Sequence, residues 1–249
     1  MISRRAVALG LVTYPFALAA SQRTESSVDE PSYELTYPPF NALTDPQRFG
    51  YKEATKEQKK IACDMIRGTP EGPNVKPIDI AQHFIDTYYR DNPKLISQWP
   101  APAEWNPLIV EFFKATSKPM NDDMTPWCAA FANWCLLRAR RDGSNDASSQ
   151  SFLTRYFKII QEPQYGDLAI FTCYDELTGK SLRVGHVAFF TEKLANGYIK
   201  VVGGNQAKDG HYSIICEDTM MTGGHDTHRR VNGKYVSCTR RLNNFVRIA

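Results

Sequence analysis

Thr125-Pro126-Trp127-Cys128-Ala129-Ala130-Phe131-Ala132-Asn133-Trp134-Cys135 is the stretch on which the fold and the chemistry turn. Thr125 suits an N-cap and Pro126 the first helical position, so the spacing of Phe131, Trp134, Cys135 and Leu137 predicts a helix with one apolar face, ending before Asp142-Gly143. Cys128 then lies in the first helical turn. A thiol there feels unpaired backbone N–H groups and the positive end of the helix dipole, both of which favour thiolate. Thiolate is the attacking species in thiol catalysis, so Cys128 is the candidate nucleophile. Asp122 and Asp123 lie just ahead; they either cap the helix or oppose the thiolate, and capping is the preferred reading.

Upstream, Ile61, Met65 and Ile66 pattern a helix over 53–67, and Ile80, Phe84, Ile85 and Tyr88 pattern a second over 78–89. A third runs from about 107 to 116, through Leu108, Ile109, Phe112 and Phe113. Downstream the period changes from helical to alternating. Strands are expected at 166–171, 184–190, 198–202, 211–216, 235–239 and 244–248, with links short enough for antiparallel pairing. The fold class is therefore α+β, with helices first and an antiparallel sheet after them.

A base and a group that orients it are needed beside the sulfur. His186 follows Cys128 by 58 residues, in Val184-Gly185-His186-Val187. Period two puts Val184, His186, Ala188 and Phe190 on one face, which can bring the imidazole to the helix start if that face packs there. Asn205 follows the next strand in Gly203-Gly204-Asn205-Gln206, where its amide can fix the imidazole. The paired glycines permit an unusual backbone path and leave room for a ligand.

Trp127-Cys128-Ala129-Ala130-Phe131, Gly166-Asp167, Gly185-His186-Val187 and Gly204-Asn205-Gln206, taken in that order, resemble the CHAP and NlpC/P60 superfamily of cell-wall cysteine hydrolases. The resemblance covers about residues 117–249. It implies a papain-like fold and hydrolysis of a peptidoglycan amide, by an N-acetylmuramoyl-L-alanine amidase or a stem-peptide endopeptidase. It casts Cys128 as nucleophile, His186 as base and Asn205 as orienting group, with Gln206 as the rival for that third role, which varies in such proteins. Trp127, Gly204 and Gln206 are the candidate substrate-binding residues, and peptidoglycan is the expected partner. Neither a metal nor a cofactor is called for. A catalytically silent wall-binding module and a cysteine acyl or peptidyl transferase are the rival readings.

The remaining features set the context. The 249 residues divide into an export signal at 1–20, a proline-bearing linker or arm at 21–52, a helical segment at 53–116 and the hydrolase-like domain at 117–249. The signal reading rests on Arg4-Arg5, the apolar run Ala6 to Ala20 and the small-x-small site Ala17-Leu18-Ala19, with a faint twin-arginine character. A periplasmic or secreted protein without a stable membrane anchor is expected. Cleavage after Ala19 removes Arg4 and Arg5 and lowers the formal charge from +3 to +1, too mild for nucleic acid. Six cysteines, with no C-x-x-C pair, argue against a zinc knuckle and leave disulfides open. Cys135 reads as a small buried residue, Arg138-Ala139-Arg140-Arg141 as the solvated helix end, and His225 and His228 as part of a solvated glycine-rich loop.

Overall fold

The computed structural model describes residues 54–99, 104–118, 120, 122–208, 211–231 and 234–248. The expected export signal at 1–20 and arm at 21–52 lie outside these residues. Among the described residues no helix is long and apolar enough to cross a membrane.

The helical part begins with α1 (Lys56–Gly68). Its N-terminus is closed by a capping box: the Gln58 N–H donates to Thr55 Oγ1 at 3.2 Å, and the Thr55 N–H donates to Gln58 Oε1 at 2.6 Å. Next come α2 (Pro77–Phe84), continued by a π turn at Ile85–Tyr89, and α3 (Pro107–Phe112), continued by a 3₁₀ turn at Phe113–Ala115. Pro77 and Pro107 each stand at a helix start, where a missing N–H costs nothing. The candidate-nucleophile helix is α4 (Cys128–Arg138). It starts later than the sequence suggests. Trp127 is the N-cap, with no side-chain cap bond, so Thr125 and Pro126 belong to the approach and Cys128 is the first helical residue.

The second half is one antiparallel sheet of β1 (Lys158–Ile160), β2 (Leu168–Asp175), β3 (Ser181–Lys193), β4 (Tyr198–Lys208), β5 (His211–Met221), β6 (His225–Val231) and β7 (Lys234–Arg247). The order is β1-β7-β2-β3-β4-β5, and β6 also pairs with β7. The α+β class is thus realised. Two details differ from the sequence reading. The segments at 235–239 and 244–248 are one long strand, bent by a register shift where Ile170↔Asn244 gives way to Phe171↔Leu242. The supposed loop around His225 and His228 is strand β6, whose alternating polar residues hid it because neither face needs to be apolar at the sheet edge.

The larger core is built around α4. Phe84 from α2, Phe112 from α3 and Phe131 and Trp134 from α4 form an aromatic cluster, with Phe112 centred 5.0 Å from Phe131 and 5.1 Å from Trp134. Leu168, Ile170, Val187, Phe189 and Val202 from the sheet join the same cluster. The core therefore runs across residue 117 without a break, and the helices before it complete the packing of α4 (a role the sequence left unspecified). Arg138 is only 11% exposed; it pairs with Glu71 at 3.1 Å and donates to the Thr69 carbonyl at 2.8 Å. It stitches the α1–α2 connection to α4, so within the run read as a solvated helix end Arg140 and Arg141 are exposed and Arg138 is not; Leu137, expected on the core face, is exposed instead.

A smaller cluster of Ala169, Phe171, Ala188, Phe190, Ile199, Val201, Met220 and Phe245 occupies the other sheet face. The Gly166-Asp167 motif has a structural task at this end of the sheet. Gly166, at φ +95°, makes the turn into β2, and buried Asp167 pairs with Arg247 of β7 at 2.9 Å.

Candidate functional site

Cys128, His186 and Gln206 line one cleft of about 1000 Å³. It opens because the β3–β4 ladder stops early: pairing runs from Lys193↔Ile199 to Phe189↔Val202 and no further. Beyond that point His186 of β3 and Gln206 of β4 meet through their side chains, and the start of α4 lies against β3. The backbone N–H of Val187 thereby meets the Cys128 sulfur, as do the N–H groups of Ala129 and of Cys128 itself.

His186 reaches this gap by a route the alternation did not foresee. Val187 and Phe189 face the helices, whereas Ala188 and Phe190 belong to the smaller cluster on the far face. His186, opposite Phe171 in the β2–β3 register, shares that far face. The expected packing of its face against α4 is thus corrected. Imidazole and thiol nonetheless line the same cleft.

The imidazole's partner is Gln206, whose Oε1 lies 3.1 Å from His186 Nε2. Gln206 Nε2 donates to the Cys216 carbonyl at 2.6 Å, which fixes Oε1 as the atom facing the ring. An amide oxygen accepts, so Nε2 carries the proton and Nδ1 is left as the basic nitrogen. Asn205 is turned elsewhere: its Oδ1 accepts from Ser213 Oγ at 2.7 Å, and Ser213 Oγ accepts from Trp127 Nε1 at 2.8 Å. The reading of Asn205 as the ring's partner is corrected for a local reason. Asn205 sits at φ +59° in a bulge, where the β4–β5 register shifts between Gly203 and Gln206. Period two counted from Gly203 puts Asn205 beside the histidine; the extra residue hands that place to Gln206. Gln206→Ala is therefore expected to lower kcat by roughly 10- to 100-fold, while Asn205→Ala costs less than about threefold. Steady-state rates of the two variants on one substrate, with a shifted acid limb only for Gln206→Ala, check this.

Two further candidates move from the groove to its support. Trp127 is fully buried, packed on Phe112 and Phe131, and does not line the cleft. Gly204 lies against the Trp127 ring so closely that any Cβ would collide with it. The glycine's missing side chain makes room for tryptophan, not for ligand.

The electrostatics differ from the simple helix-dipole expectation. Burial pushes the Cys128 thiol above its ordinary value, although the Val187 and Ala129 N–H groups and the Arg229 charge pull the other way. His186 is held down to about 3, first by burial and then by the Arg240 guanidinium, against the pull of Gln206. Both groups are neutral in the resting protein at pH 7. The acidic pair stays out of the way: Asp122 Oδ1 accepts from the Met124 and Thr125 N–H groups at 2.9 and 2.7 Å, and Asp123 Oδ2 from those of Asn106 and Trp99 at 2.9 and 3.0 Å. They brace the approach to α4 but do not cap it. Burial raises Asp123 to about 6.

These two shifts act oppositely on stability. His186 falls below its unfolded value, so its contribution is complete above about pH 6.5 and is lost as pH drops toward about 3. Asp123 rises above its unfolded value, so its contribution is complete below about pH 3.9 and is lost as pH climbs through about 6. Between pH 4 and 6 they nearly cancel. Relative to the wild type, His186→Gln should lose stability with rising pH in that window and Asp123→Asn should gain it, as read by denaturant midpoints at several pH values.

Among the described residues no group of three or more His, Cys, Asp or Glu side chains is placed to hold a metal ion. All six cysteines are buried, Cys135 fully so and with its thiol well above the ordinary value.

A thiol at a helix start, an imidazole on the adjoining strand and an amide behind it define the class: an α+β domain with a cysteine–histidine–glutamine cleft. Residues 120–205 match the family model of the CHAP domain. That match includes Cys128, His186 and Asn205 and leaves out Gln206, β5 to β7 and the helices before α4. No curated protein and no solved structure matches the chain.

Proposed function

We propose that this protein is an exported cysteine hydrolase of papain-like fold that cleaves an amide bond of peptidoglycan. The observation that carries the reading is the single cleft in which Cys128, at the start of α4, meets the strand bearing His186, with Gln206 holding the imidazole. The CHAP match, which covers Cys128 and His186, supports the substrate class.

The geometry supports a balanced two-stage reaction. His186 Nδ1 takes the Cys128 proton as sulfur attacks the amide carbonyl, and N–H groups at the start of α4 receive the oxyanion. The C–N bond breaks as His186 returns that proton to the departing amine, leaving a thioester on Cys128. Water then attacks, giving its proton to His186, and the C–S bond breaks to release the acid and restore the thiol. A resting neutral pair suits this sequence, since charge separates only when a carbonyl is present to receive the electron pair.

Mass spectrometry of wall fragments tests the proposal: each cut should add the mass of one water and expose one new amine. Fragments joined to a second amine would instead indicate transfer. Binding without any mass change would favour the silent wall-binding reading, to which the burial of Cys128, 4% exposed, lends its one support.

A further inference from the structure

The cleft extends past the catalytic gap to a wall on which two arginines stand. Arg229 on β6 and Arg240 on β7 both line it, beyond the residues matched by the CHAP domain. The β6–β7 register puts His225 opposite Arg240 and Thr227 opposite Cys238, so alternation directs His225, Thr227 and Arg229 of β6 to the same face as Arg240. Arg240 lies over the Phe171 ring, 5.7 Å from its centre, and Phe171 is directly opposite His186 in the sheet. One strand therefore separates this guanidinium from the imidazole.

Among the described residues the two cations have no counter-ion of matching strength. Among the described residues neither forms an ion pair within 4.0 Å. Asp218, across the cleft, acts on Arg240 only at longer range, and Arg229 repels Arg240. Both guanidinium groups are partly buried, which makes an unneutralised pair costly and an incoming anion rewarding. The same two charges also bear on the dyad: Arg229 favours the Cys128 thiolate, and both disfavour the His186 imidazolium.

We propose that Arg229 and Arg240 form a carboxylate-binding subsite, so that the amide cut at Cys128 is one flanked by a free carboxylate on the substrate. This deepens the hydrolase reading and rests on it for the reaction, but not for the binding. A carboxylate seated there neutralises the wall and offsets the repulsion that Arg240 and Arg229 add to burial in opposing protonation of His186. Substrate charge and base strength are then coupled, and a substrate with its carboxylates amidated both binds weakly and leaves the base weak.

Binding is measured on Cys128→Ala protein, which separates recognition from chemistry. The probes are soluble peptidoglycan fragments with carboxylates free and the same fragments after carbodiimide amidation. Calorimetry is expected to show at least about tenfold tighter binding of the free acids, reduced to less than about threefold when Arg229→Gln and Arg240→Gln are added. Arg229→Gln alone and Arg240→Lys, each checked for a native melting temperature, keep the test open if the double substitution unfolds the sheet edge. Equal binding of the two probes, or binding of neither, overturns the subsite. Failure of the wild type to cut any wall fragment overturns the hydrolase reading instead.

Discussion

Cys128→Ala is expected to lower amine release from purified walls by at least about 10³-fold, to background. Cys128 is nearly the size of alanine and sits on the first residue of α4 without capping it, so the fold should persist, with a melting temperature within a few degrees of the wild type. His186→Ala should reach a similar floor. The double variant should be no worse than either single one, because nucleophile and base act as a unit and losing one forfeits the other. Release rates for the three variants, each paired with a thermal melt, check both halves of the expectation. Activity that falls in step with melting temperature would point to a structural role for the cysteine.

The largest stability effect is expected at Trp127. Its ring is fully buried between Phe112, Phe131 and the bare backbone of Gly204, and its N–H is satisfied by Ser213. Trp127→Ala removes those contacts and leaves a cavity, at a cost of about 3–5 kcal/mol. That is a large part of the roughly 5–15 kcal/mol available to a domain. Trp127→Phe keeps most of the packing but leaves the Ser213 hydroxyl oxygen without its donor, at about 1–3 kcal/mol. Denaturant unfolding should show both losses. KM for wall fragments should change little in the folded fraction, since the ring lines no part of the cleft. A raised KM with unchanged stability would restore tryptophan to the groove.

Much of this was legible because it is local. The i, i+4, i+8 spacing of Ile80, Phe84 and Tyr88 finds α2 and the turn that continues it, and the Gly-His-Val run finds the strand that carries the imidazole. The placement of Cys128 in a first helical turn follows from its neighbours alone. The remainder depends on events between strands. Nothing in Val184 to Phe190 announces that the β3–β4 ladder ends at Phe189, so the side on which His186 reaches the thiol is invisible to a period-two count. The exchange of Asn205 for Gln206 comes from one residue at positive φ, a conformation asparagine tolerates but does not require. Strand β6 is polar on both faces, so His225 and His228 read as a loop, and only the pairing with β7 shows that Arg229 is brought to the cleft. The helix-dipole argument for a thiolate is sound in direction, and burial outweighs it.

The claim on which the rest depends is that Cys128 carries the acyl group. Acid quenching during turnover of wall fragments, followed by peptide mapping, measures this directly. An acyl mass on the peptide containing Cys128, absent without substrate and absent from Cys128→Ala, is the expected result. Fragments released while that peptide stays unmodified throughout turnover would contradict it.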